Sequence, residues 1–203
     1  MLNWGILGAG WISNTFVSDF YKVENACIKA VAARDLQRAQ SFAEKHNIPL
    51  AYGNYAEMLQ NPAIDVVYIG TTHNFHYEHV MMCLQAGKHV LCEKPITINA
   101  RQFQELTQEA KKRHLFLMEA MWSRCMPSRF IIEELLEKGT IGQLTSITAN
   151  LGYSLQYKER MNEPSLAGGA LLDLGIYPIS FARTYVKKDV VNAISTAVMS
   201  PKG

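Results

Sequence analysis

Residues 89–96, HVLCEKPI, end an apolar run with Glu93, Lys94 and Pro95 in direct succession. One reading is a strand cap, since charges leave a core and proline cannot donate to the next ladder bond. A second delivers the Lys94 ammonium to a ligand, because open parallel sheets bind ligands at the carboxyl ends of their strands. Gly8-Ala9-Gly10-Trp11-Ile12-Ser13 follows another apolar run and opens an amphipathic stretch, with Trp11 and Ile12 at the turn into it. Gly8 permits a tight turn there, and Gly10 lets backbone approach a pyrophosphate at a helix N-terminus. Ser13 stands where the common fingerprint has a third glycine and is small enough for close helix–strand packing.

The run Val31-Ala32-Ala33-Arg34-Asp35 addresses which dinucleotide would bind. A cofactor with a free 2′-hydroxyl usually meets Asp or Glu at the end of the second strand, and Ala33 occupies that place here. A guanidinium at Arg34 can pair with a 2′-phosphate and stack on adenine. The expected cofactor is therefore NADP, with NAD the alternative; the plainer reading leaves Arg34 solvated and Asp35 capping the next helix. Thr71 and His76 follow a further apolar run, where loops meet ribose and nicotinamide, and are expected on the cofactor side. His73, His76 and His79 recur at a spacing of three, but no carboxylate or cysteine completes a ligand set, so no metal is expected.

These residues need elements to hold them. Up to about residue 121, short apolar runs (Trp4 to Leu7, Ile28 to Ala33, Asp65 to Thr71, His89 to Glu93, Leu115 to Met121) alternate with amphipathic stretches. Leu36, Ala39, Phe42 and Ala43 recur at helical spacing, for example, with charge on the opposite face. Alternation of this kind predicts a doubly wound parallel sheet with helices on both faces. Beyond residue 122 the rhythm changes: Pro127 to Lys138 and Leu171 to Val186 read as helices, and 144–153 and 190–199 as strands. The expected organisation is a nucleotide-binding domain over 1–122 and a partial α+β domain over 123–203, whose two strands need sheet partners from elsewhere.

Composition narrows the field. In 203 residues, 48% hydrophobic and 19% charged with a net charge of +2, nothing favours nucleic acid as a partner. Cys27, Cys83, Cys92 and Cys125 form no CxxC pair, as reduced thiols in a cytoplasmic protein would. The start, MLNWGILGAG, lacks the basic region of a signal peptide, and no uninterrupted apolar run approaches a membrane span.

With the glycine loop, Glu93-Lys94-Pro95 and GGALLDLGIYPI at 168–179, the chain resembles the glucose–fructose oxidoreductase and inositol dehydrogenase family. Met118-Glu119-Ala120-Met121-Trp122-Ser123-Arg124 is similar to the branch holding dimeric dihydrodiol dehydrogenase and D-xylose dehydrogenase. The resemblance implies a Rossmann domain followed by a domain on an open, mostly antiparallel sheet. It implies an NAD(P)-dependent oxidoreductase acting on a carbohydrate-like alcohol or carbonyl, and a homo-oligomer. Family chains continue well past residue 203, so catalytic competence of this length is an open question.

By the same resemblance, Lys94 and Glu93 lie beside the nicotinamide ribose, with Pro95 in a cis bond. Tyr177, in the DxGxY motif that begins at Asp173, is the general acid/base, where relatives with DxGxH carry histidine. A free tyrosine holds its proton to about pH 10, and a nearby ammonium favours the phenolate, so Tyr177 and Lys94 form a coherent pair. Asp173, four residues before Tyr177, would orient substrate hydroxyls or the lysine, or form a salt bridge. Trp122 would wall the substrate pocket and Arg124 contact cofactor or substrate, against the plainer readings of a core aromatic and a surface ion pair. The alternative functions are a non-catalytic nucleotide sensor and an inactive fragment that only binds nucleotide.

Overall fold

The structure is a computed structural model that describes residues 1–155 and 157–199. The chain divides into two compact units, Met1–Ala120 and Met121–Gly203. The first is a six-stranded, wholly parallel sheet of β1 (Leu2–Leu7), β2 (Ala26–Ala32), β3 (Leu50–Tyr52), β4 (Val66–Ile69), β5 (His89–Glu93) and β6 (Leu117–Ala120). Its strand order is β3-β2-β1-β4-β5-β6, so the chain reverses direction across the sheet between β1 and β4. The connecting helices are α1 (Trp11–Asp19), α2 (Leu36–His46), α3 (Tyr55–Leu59), α4 (His76–Gln85) and α5 (Ala100–Lys112).

Side chains that alternate along the central strands build two cores. Ile6, Val31 and Tyr68 join Val17 of α1 and Phe42 and Ala43 of α2 on one face. Leu7, Ala32, Val67 and Ile69 join Val80 and Leu84 of α4 and Leu106 of α5 on the other. Burial on both faces is why these strands read as continuous apolar runs. Local signals fix the helix starts: Asp35, Asn54 and Asn99 each accept a backbone N–H of the helix they precede. Asp35 thus caps α2, as the plainer reading of that residue had it. All four cysteines are free thiols.

The second unit contains α6 (Pro127–Glu137), a short α7 (Glu159–Asn162), a π-helical stretch Leu171–Gly175 and α8 (Ile176–Tyr185) that continues it. The expected strands at 144–153 and 190–199 are not formed; neither segment joins a ladder among the described residues. A strand needs a partner for its N–H and C=O groups. Ile194 and Val198 are correspondingly exposed.

The stretch Pro164–Tyr185 is long and apolar enough by length and composition alone to cross a bilayer, with a mean hydropathy of 1.3 over an 18-residue window, but Ala167 and Gly169, both at positive φ, separate its 3-10 start Pro164–Leu166 from the helix that follows. Buried Asp173 gives it an ionic contact inside its own unit.

Candidate functional site

In the first unit the strand order reverses between β1 and β4, and the strands' carboxyl ends at such a reversal are the place where sheets of this kind hold ligands. Gly8 leaves β1 with φ of +99°, and a Cβ there would stand 2.9 Å from the Thr71 methyl. Gly10 caps α1 with no side-chain bond of its own, so the N–H groups of Trp11, Ile12 and Ser13 point out of the first turn without helical acceptors. Ser13 is fully buried and donates its hydroxyl to the Gly8 carbonyl at 2.5 Å. This cradle fits a pyrophosphate: the backbone is bare where the phosphates would lie, and the helix start favours negative charge.

Arg34 is exposed beside the N-cap of α2. Four residues on, Arg38 donates Nε to the Ala9 carbonyl at 3.1 Å, which brings a second guanidinium against the glycine loop. Burial raises the pKa of Tyr55, and the charges of Arg34 and Arg38 both oppose that rise, so the two cations share its neighbourhood. Sequence reading missed Arg38. Its signal was a basic residue in the first turn of α2, which begins two residues after Arg34.

Across the switch, Thr71 Oγ1 lies 3.0 Å from His79 Nδ1. His76, expected to touch cofactor, has no exposed surface. Its Nδ1 is 2.7 Å from the Pro95 carbonyl and its Nε2 3.1 Å from the Thr71 carbonyl. Burial holds its pKa below the ordinary imidazole value, which favours a neutral ring with one N–H for the two carbonyls. His76 therefore ties the loop after β4 to the loop after β5. The Lys94–Pro95 bond is cis, and Lys94 is half-buried. Glu93 accepts the Tyr68 hydroxyl at 2.7 Å, and burial raises its carboxyl above the usual range. Glu119, also unremarked in the sequence, accepts the Ile96 N–H at 2.9 Å and so braces the turn after Pro95.

In the second unit Asp173 is buried, its carboxylate 3.0 Å from Arg160 Nη2. Gly169 N–H donates to the Met161 carbonyl at 3.0 Å, closing the segment from α7 onto the start of the π-helical stretch. One turn beyond Asp173, Tyr177 Oη lies 3.0 Å from Trp122 Nε1. The structure thus gathers Trp122, Asp173 and Tyr177 within one unit. Arg124 is exposed, and its carbonyl accepts from Arg129 at 3.1 Å.

Comparison with known proteins places both units. Residues 2–121 match the family described as "Oxidoreductase family, NAD-binding Rossmann fold", and 131–202 match "GFO/IDH/MocA C-terminal domain". The chain is 46% identical over 182 residues to trans-1,2-dihydrobenzene-1,2-diol dehydrogenase of Homo sapiens, covering 89% of this chain and 54% of that one. The Xenopus tropicalis enzyme of the same name is 48% identical over 181 residues, covering 88% and 54%. Among solved structures, a 3-ketoreductase from Actinomadura kijaniata in complex with NADP and TDP-benzene superposes with a TM-score of 0.81 at 28% identity, over 91% of this chain and 57% of that one. A probable dehydrogenase from Thermotoga maritima gives a TM-score of 0.77 at 26% identity, over 93% and 56%. The chain spans about half the length of the curated relatives it matches. On these matches, with the glycine cradle at the β1–β4 reversal, the chain belongs to the GFO/IDH/MocA oxidoreductase family, whose NAD-binding Rossmann fold occupies residues 2–121.

Proposed function

We propose that this protein is an NADP-preferring oxidoreductase of the cytoplasm acting on the alcohol or carbonyl of a small diol, polyol or sugar. The observation that carries the reading is the bare cradle of Gly8 and Gly10 at the sheet reversal, flanked by two guanidiniums. The substrate class follows the relatives' names, of which the dihydrodiol dehydrogenases share nearly half of the aligned residues.

Each residue then has a task. Gly8, Gly10, Trp11 and Ile12 would receive the pyrophosphate at the start of α1. Arg34 and Arg38 would pair with the 2′-phosphate, with no carboxylate at Ala33 to repel it. Glu93, Lys94 and Thr71 would line the ribose and nicotinamide, and His76 would fix the two loops that carry them. When bound, the nicotinamide supplies or accepts the hydride. Tyr177 would give its proton to the nascent alkoxide in reduction and take it back in oxidation, and the Lys94 ammonium would favour the charged phenolate between. Trp122 and Arg124 would face the substrate. Self-association belongs to the same reading, and the exposed Val191, Ile194 and Val198 are apolar surface available for it.

The test is turnover by the full-length protein with trans-1,2-dihydrobenzene-1,2-diol and a panel of sugars and polyols, with NADP and with NAD. Tyr177→Phe should abolish turnover while leaving nucleotide affinity within about twofold, whereas Lys94→Ala should damage both. A Tyr177→Phe enzyme that keeps most of its rate removes the acid/base assignment. Binding of NADP with no turnover on any member of the panel favours the sensor reading.

A further inference from the structure

Trp122 opens the second unit in a 3-10 turn, Trp122–Cys125, and its indole meets the Tyr177 ring tilted rather than stacked. The ring centroids are 6.0 Å apart, the planes are inclined by 58°, and Nε1 lies 3.0 Å from the phenol oxygen. An indole N–H can only donate, so the Tyr177 oxygen is the acceptor in this bond. Trp122 is 59% exposed, which is little burial for a ring whose role is to fill a core. Tyr177 itself is held from behind, because the stretch that leads into it is anchored by the Arg160–Asp173 ion pair and the Gly169–Met161 backbone bond.

We propose that Trp122 is the positioning residue of Tyr177. Its N–H occupies one lone pair of the phenol oxygen, which turns the hydroxyl hydrogen away from the indole and towards a substrate oxygen. The same N–H faces the charge that this oxygen acquires when its proton leaves. In reduction, the Tyr177 O–H bond breaks as an O–H bond forms on the substrate alkoxide, and the carbonyl carbon receives its hydride from the reduced cofactor. Trp122 neither gains nor loses a proton. The proposal rests on the acid/base reading of Tyr177 and goes beyond the pocket wall expected from sequence. A wall contributes equally to ground and transition states and acts on KM. A donor aimed at an oxygen that becomes charged acts on kcat.

The experiment uses full-length protein with NADP and the trans-dihydrodiol. Trp122→Phe keeps an aromatic ring and deletes the donor. It should lower kcat by about tenfold to a hundredfold, as loss of a hydrogen bond to a charged group does, with KM within about threefold. Trp122→His restores a ring N–H and should recover part of that loss. Independently of turnover, the Trp122 indole N–H resonance in 15N-labelled protein should move when Tyr177 is replaced by Phe. An indole resonance indifferent to Tyr177→Phe overturns the hydrogen bond. A Trp122→Phe enzyme with raised KM and unchanged kcat overturns the positioning role and leaves the acid/base reading standing. Full activity in Tyr177→Phe brings down that reading and this proposal together.

Discussion

The Ser13 hydroxyl donates to the Gly8 carbonyl at 2.5 Å, and the space beside it is closed: a Cβ at Gly70 would stand 2.2 Å from that same oxygen. Ser13 therefore takes the third-glycine place of the fingerprint only because residue 70, at the end of β4, has no side chain. Gly70→Ala should displace Ser13 or Gly8 and open the phosphate cradle. NADP affinity should fall by about tenfold or more by calorimetric titration, with overpacking that destabilises by roughly 1–3 kcal/mol. Ser13→Gly in the same chain removes the clashing oxygen and should restore most of the affinity. A double variant no better than Gly70→Ala alone would show that the strain lies at Tyr68 or Ile12, the next contacts at 3.1 and 3.2 Å.

Two guanidiniums by the glycine loop predict cofactor choice. Arg34→Ala and Arg38→Ala should each weaken NADP about tenfold, as loss of a charge-assisted pair does, while NAD changes less than about threefold. Arg38 also donates to the Ala9 carbonyl, so its variant should carry the larger share of any loss common to both cofactors. Equal losses for NADP and NAD from both variants would show that neither side chain reads the phosphate.

The nucleotide unit was legible because its signals are local. Apolar runs, the Asp35 cap and the Gly8–Gly10 pair each declare an element within a few residues. The short β3 and α3, at Leu50–Tyr52 and Tyr55–Leu59, escaped because three to five residues carry too little periodicity to register. His76 looked like a ligand because its type and place allow it; only tertiary burial shows both ring nitrogens on carbonyls. The segment 144–153 has the alternation of a strand but no partner among the described residues, and pattern alone cannot make a ladder. Asp173 paired with Arg160 across thirteen residues, and Trp122 with Tyr177 across fifty-five, are contacts no spacing rule anticipates.

Burial, with the charges of His76 and Arg34, lowers the His79 pKa from 6.5 to about 4. Above pH 6.5 the ring is neutral in both folded and unfolded chains, and its contribution to stability is complete. As pH falls towards 4 the unfolded chain takes a proton that the folded one refuses, and stability is lost, by at most roughly 3 kcal/mol. Half-buried Glu93 acts in the opposite sense, because its raised carboxyl pKa favours the fold at low pH. Comparing wild type with His79→Gln subtracts that contribution. Thermal melts between pH 7 and 4 should show a steeper decline in the wild type. Parallel curves would mean that His79 titrates normally in the fold.

The ion pair between Arg160 and Asp173 separates two roles left open for Asp173. The Asp173 side chain is 7% exposed and that of Arg160 34%, so the carboxylate is withdrawn from water while the arginine is still partly solvated. Arg160→Ala should cost about 1–3 kcal/mol, less than a fully buried pair, because water can reach the vacated side. The backbone is equally constrained: a Cβ at Gly168 would lie 2.4 Å from the Arg160 carbonyl, so Gly168→Ala should loosen the same anchor. If Asp173 acts by holding the start of the Tyr177 helix, then Asp173→Asn, Arg160→Ala and Gly168→Ala should lower kcat together and in proportion to their loss of melting temperature. If Asp173 instead touches substrate, Asp173→Asn alone should lower kcat, with KM for a polyhydroxylated substrate raised and stability little changed. The Asp173 carboxylate lies 3.0 Å from Arg160 Nη2, and the proportional outcome is the one expected.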